Sequence, residues 1–149
     1  MPKDANPTKF SICLAIAKPL QASRLETELV TEGFDVLAFH SAKEIWDNFE
    51  WRHPRYVITD LNFSDDFPAT KLCQAIRARY MLPYVYIHVL GNASRVADIE
   101  AALDSGANDY SVKPLSGFQL RARVRVGLRW LQYIDSITMT SAAVRKSNQ

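Results

Sequence analysis

Short apolar runs alternate with helical patterns along this chain, and that alternation restricts its fold more tightly than any other feature. Residues 10–17, 34–39, 56–61, 84–90 and 108–112 are runs of strand length. Between them the apolar residues recur at helical spacing. Ala22, Leu25 and Leu29 stand at i, i+3 and i+7 in residues 20–32, and Gly33 closes that segment. Ser41 is suited to cap a helix with Ile45, Trp46 and Phe49 inward. Leu72, Ala75 and Ile76 share a face in residues 69–80. Val96, Ile99 and Leu103 do so in 92–105, which Gly106 ends. A last helix is expected from Leu115 to about Ile134. Residues 135–149 are polar and are expected to be a frayed tail or linker after a domain spanning 1–134.

Strands alternating with helices predict an α/β, doubly wound, five-stranded parallel sheet with helices on both faces. Runs one, three and four are almost continuously apolar, as a doubly covered sheet requires. With 149 residues, 48% of them apolar, the chain fills one core of ordinary size. Its net charge of +2 is too small to demand nucleic acid or a membrane surface as partner. No apolar run approaches the roughly 20 residues of a membrane helix. Residues 1–9 lack the apolar core of a signal peptide, so the expected compartment is cytoplasmic. Cys13 and Cys73 match no zinc or redox spacing and are expected to be buried thiols.

In such folds chemistry lies at the carboxyl ends of the strands. The residues there are 16–18, 60–62, 88–91 and 110–114. Asp60 is the only acidic residue of the third strand. A carboxylate at that place costs desolvation unless something pairs with it. Lys113, just before Pro114, can reach a carboxylate or phosphoryl group as a point charge. Enzyme chemistry is not expected. The first glycine is Gly33, so no phosphate-cradling loop follows strand one. Asn62 stands where an aspartyl-nucleophile hydrolase carries the second carboxylate of Asp-x-Asp.

Two stretches carry a resemblance. Tyr56-Val57-Ile58-Thr59-Asp60-Leu61-Asn62 and Asp104-Ser105-Gly106-Ala107-Asn108-Asp109-Tyr110-Ser111-Val112-Lys113-Pro114 are similar to response regulator receiver domains, and the likeness covers about residues 9–131. It implies the receiver strand order 2-1-3-4-5. It implies that Asp60 is the phosphoacceptor, Lys113 the partnering lysine and Tyr110 the aromatic switch. It makes Lys113–Pro114 a cis candidate, and assigns the Asn62 carbonyl to Mg²⁺. The implied partners are a histidine kinase or phosphotransfer protein, and an effector domain beyond this chain.

The family's acidic pair at the end of strand one is missing. Ile16 and Ala17 stand there, and residues 5–25 contain no Asp or Glu. Mg²⁺ demands hard oxygen ligands, so no metal and no cofactor are expected, and self-catalysed phosphorylation of Asp60 should be slow or absent. Lys18 follows the missing pair and is a charge substitute for the metal, joining Lys113 on Asp60. Counting from Pro83 puts His88 at the family's Ser/Thr position on strand four. Two readings stay open: a receiver phosphorylated on Asp60, or a pseudo-receiver acting as a dimerisation or interaction module.

The last helix carries a second apolar ladder, Phe118, Ala122, Val126, Trp130 and Ile134, beside the row Arg121, Arg125 and Arg129. One stripe is enough to dock a helix on a sheet. Phe118, Val126 and Trp130 are therefore expected on a homodimer face built from the fourth helix, fifth strand and fifth helix. The arginine row is expected to be solvated or salt-bridged, without nucleic-acid contact.

Overall fold

A computed structural model describes residues 10–148. The elements are β1 (Ser11–Ala15), α1 (Pro19–Thr31), β2 (Asp35–Phe39), α2 (Ala42–Asp47), α3 (Phe49–Arg52), β3 (Tyr56–Asp60), α4 (Ala69–Arg79), β4 (Tyr86–Gly91), α5 (Val96–Ser105), β5 (Asp109–Val112) and α6 (Gly117–Ser147). The five strands form one all-parallel sheet in the order β2-β1-β3-β4-β5. This is the doubly wound α/β arrangement that the alternation predicts.

Alternate strand residues feed two cores. Cys13, Ala15, Val57, Ile87 and Val89 point to the side of α2, α4 and α5. Ile12, Leu14, Tyr56, Ile58 and Leu90 point to α1 and α6. All five residues of β3 are buried, so both sheet faces are covered at the centre. Both cysteines are free and buried, and burial pushes the Cys13 thiol up to about 12.

Several boundaries differ from expectation. The helix after Ser41 breaks at Asn48, whose side-chain amide donates to the Glu44 carbonyl at 2.9 Å and competes with the helical ladder. Ser41 does cap it, accepting from Glu44 N–H at 3.1 Å. The α5 helix starts at Val96 rather than Asn92, and its buried residue is the small Ala102. Val96 and Leu103, expected inward, are exposed. The last helix opens with a Ser116–Gln119 capping box. It runs on through Ser147, so the segment from Asp135 is helical rather than frayed.

Gly127 on α6 lies against the paired Tyr56 and Tyr86 rings, where a Cβ would come within 2.5 Å of Tyr56. This close approach lets α6 lie flat on β3 and β4. Among the described residues, no helix is long and apolar enough to cross a membrane.

Candidate functional site

Asp60 ends β3 at the rim of the sheet with only 4% of its surface exposed. Both carboxylate oxygens are engaged. Oδ1 accepts from Lys113 Nζ at 2.7 Å, and Oδ2 accepts from the backbone N–H of Ala17 at 2.8 Å. The Lys113 ammonium also donates to Gln21 Oε1 at 3.3 Å. The Lys113 backbone N–H donates to the Gly91 carbonyl at 2.8 Å, which fixes β5 against the end of β4. The Lys113–Pro114 peptide is cis, and so is Leu82–Pro83. A recess of ≈ 30 Å³ opens beside the carboxylate, lined by Asp60, Asn62, Gly91, Asn92 and Lys113 among others.

Lys18 does not join this cluster. It is the N-cap residue of α1, with Pro19 following it in the first turn. Its carbonyl accepts from Ala22 N–H at 2.9 Å, and its side chain is exposed. The expected pair of ammonium groups on Asp60 is therefore one ammonium and one peptide N–H. Ile16 is buried and Ala17 brings only its backbone, so the missing acidic pair is replaced by a neutral donor.

The receiver fold implies Mg²⁺ at this place, and these residues do not fit it. Among the described residues no group of three His, Cys, Asp or Glu side chains could hold a metal ion. Among the described residues lining the recess only Asp60 carries a carboxylate, and each of its oxygens already accepts a hydrogen bond, whereas Mg²⁺ needs several oxygen ligands in near-octahedral geometry. Asn62 lines the recess but its side chain is exposed.

His88 is also corrected. Residues 80–85 belong to no strand, so β4 starts at Tyr86, later than Pro83 suggests, and continues to Gly91. His88 pairs with Ile58, whereas Leu90 pairs with Asp60. The histidine is fully buried under the α1/α6 face, where Nε2 shares a hydrogen bond of 2.7 Å with Ser111 Oγ. Asp109 Oδ2 is 3.8 Å from Nε2, and Nδ1 has no protein partner. Burial pulls the imidazole pKa down to about 4 despite the neighbouring Asp109 carboxylate.

Leu90 and Gly91 of β4 both line the recess with Asp60 and Lys113, and the residue that ends the strand there is Gly91. It brings no hydroxyl to the recess. Tyr110 occupies the space a side chain would need there: a Cβ built on Gly91 collides with its hydroxyl and ring. The Tyr110 ring packs against the α2/α4/α5 core, and its hydroxyl donates to the Ala93 carbonyl at 2.9 Å. Burial, and secondarily Asp98, push its pKa up. Gly91 therefore makes room for the Tyr110 ring. A glycine inside a strand marks close approach of another group, and that was the readable signal. A Gly91→Thr variant should expel the Tyr110 ring, shift its aromatic NMR resonances, and lose about 1–3 kcal/mol in chemical denaturation.

Phe118, Val126 and Trp130 are exposed on α6, as are Val112 on β5 and Val96 and Leu103 on α5. Arg121 pairs with Glu28 at 2.8 Å and with Glu32 at 3.4 Å, so that member of the arginine row ties α6 to α1. Arg77, which the sequence reading passed over, reaches from α4 to the Val85 and Gly106 carbonyls and to Asn108 Oδ1.

Comparisons with known proteins bear on the family and the fold. The family model of the response regulator receiver domain matches residues 12–125. A protein named as probable transcriptional regulator ycf27 from Porphyridium aerugineum is 35% identical over 105 residues, covering 70% of this chain and 42% of that protein. Its namesake from Galdieria sulphuraria is 32% identical over 121 residues, 80% of this chain and 46% of that one. The chain thus spans less than half the length of these curated relatives. A response regulator receiver domain protein (CheY-like) from Methanospirillum hungatei superposes with a TM-score of 0.75 at 18% identity, covering 84% of this chain and 98% of that one. The signal receiver domain of a histidine kinase from Syntrophus aciditrophicus gives 0.73 at 22%, covering 80% and 90%. Strand order, the Asp60–Lys113 pair and the family match converge: the chain belongs to the response regulator receiver domain family.

Proposed function

We propose that the chain is a receiver module of two-component signalling that acts through protein contacts and does not load its own aspartate from small phosphodonors. The observation that carries this reading is the double occupation of Asp60 by Lys113 Nζ and Ala17 N–H, with no second carboxylate among the described residues that line the recess. Receiver chemistry depends on positioning and charge neutralisation more than on covalent catalysis. Among the described residues no metal-ligand cluster is present and Gly91 brings no hydroxyl, so Lys113 is the one cationic side chain lining the recess to meet the developing charge on a transferring phosphoryl group. On this reading the module is not an enzyme, works in the cytoplasm and needs no cofactor. Its output passes to a partner or to an effector domain, and it makes no nucleic-acid contact of its own.

A second reading is favoured by the Asp60–Lys113 pair, which stands at the strand ends in hydrogen-bonding distance. In it, a histidine kinase or phosphotransfer protein supplies the geometry that the chain lacks and phosphorylates Asp60. Intact-mass spectrometry separates the two. With Mg²⁺ and a small phosphodonor the mass should stay unchanged. A gain of one phosphoryl group that disappears in Asp60→Asn rejects the first reading.

A further inference from the structure

Beside the Asp60 recess a larger groove of ≈ 360 Å³ runs between α1 and the turn that joins β5 to α6. Its walls are Leu20, Leu25, Leu90, Pro114 and Leu115. Leu25, Leu90 and Leu115 are buried, whereas Leu20 is 87% exposed. The polar groups on it are Gln21, Arg24, Asn92 and Lys113, and among the described residues no carboxylate side chain lines it. Small-ligand sites have this build: roughly 300–1,000 Å³, mostly apolar, with a few polar groups that converge. The Asp60 recess, at ≈ 30 Å³, is too small to hold such a ligand itself.

We propose that this groove binds a small amphipathic anion, a carboxylate carried on an aliphatic body of about eight carbons. Charge complementarity chooses the anion. Asp60 offsets the Lys113 ammonium at 2.7 Å, whereas among the described residues no carboxylate pairs with Arg24. The groove therefore keeps an uncompensated positive charge. Arg24 is also oriented in advance, because one guanidinium N–H donates to the Leu115 carbonyl at 2.7 Å and ties α1 to the opposite wall. A guanidinium carries five donors, so the rest of the fork is open to a carboxylate. Lys113 spends one ammonium proton on Asp60 and one on Gln21. Its third can meet the ligand without leaving Asp60.

The walls choose the aliphatic body. A bare inorganic anion would satisfy Arg24 and leave the leucines in water, so it gains nothing from burial. An organic cation would meet the guanidinium with no lining carboxylate to offset the repulsion. Only a molecule with an anionic head and an apolar tail uses both parts of the groove. Because Lys113 lines the groove and the Asp60 recess alike, a bound carboxylate draws on the same ammonium as Asp60. The module thereby gains an input other than phosphoryl transfer. Occupancy of the groove does not depend on whether Asp60 is phosphorylated.

The test titrates the full chain, labelled with ¹³C in its leucine methyl groups, with sodium octanoate. The methyl signals of Leu20, Leu25, Leu90 and Leu115 should shift together and saturate, with half-saturation below roughly 1 mM, the range open to a ligand of about ten heavy atoms. Octylammonium, with the same tail and the opposite charge, should bind at least roughly 10-fold more weakly. Arg24→Gln should weaken octanoate roughly 10-fold, and Arg24→Lys should recover part of that loss. Arg24 is exposed, so both variants should keep the melting transition of the wild type. The octylammonium comparison needs no variant at all. Absence of saturable shifts at these four leucines overturns the proposal. So do equal affinities for octanoate and octylammonium, an Arg24→Gln chain that binds as the wild type does, or shifts confined to Leu103 and Leu128, which lie outside the groove.

Discussion

Replacing Lys113 by Met should destabilise the domain by about 3–5 kcal/mol in urea denaturation, more than any other single change at the rim of the sheet. The carboxylate of Asp60 is almost wholly buried, and among the described residues Lys113 is the one cation on it. Removing the ammonium leaves a charge whose desolvation is offset, among the described residues, only by the Ala17 N–H. Asp60→Asn should cost far less, about 1–2 kcal/mol, because the amide oxygen still accepts from one donor and Lys113 keeps Gln21. The double variant Asp60→Asn, Lys113→Met should recover most of what Lys113→Met loses. A double variant that loses the sum of the two single losses would mean that the pair is not coupled.

The second large effect is a pH dependence seated at His88. Its ring is buried and neutral, with its pKa lowered to about 4 by burial against 6.5 in the unfolded chain. Between those values the unfolded state binds the proton and the folded state does not. Stability is therefore fully present above pH 6.5 and falls as the pH drops towards 4, by roughly 3 kcal/mol. A His88→Asn variant should lose that part of the slope. Melting temperatures taken across this range check it. A wild-type slope no steeper than the variant's would show that the imidazole titrates alike in both states.

Much of this fold was legible because hydrophobic period reports burial directly. The runs of β1, β3 and β4 are apolar on both faces because helices cover both faces. Asp60 and Lys113 were readable because a charge at the end of an apolar strand requires a partner. Contacts made by backbone atoms were not readable. The Ala17 N–H on Asp60 depends on the path of the chain into α1, and no residue identity encodes it. Lys18 misled because charge suggests attraction, whereas its place at the α1 N-cap sends the side chain to solvent. His88 misled because the register was counted from Pro83, while the irregular segment 80–85 delays the strand and brings Gly91 to its end. The helical tail past Ile134 was missed because its composition is polar and its apolar residues serve a face that the domain leaves open.

At Asp60 one carboxylate oxygen accepts from an ammonium and the other from a peptide N–H, and among the described residues lining the recess no second carboxylate joins it to hold a divalent ion. A Mn²⁺ titration of the ¹⁵N-labelled chain, followed through the amide signals of Ala17, Asp60, Leu61 and Asn62, examines that arrangement directly. The account predicts no selective broadening of these signals at millimolar Mn²⁺, beyond what exposed carboxylates elsewhere show. Saturable broadening centred on Asp60 and Ala17, reversed by excess Mg²⁺, would contradict it.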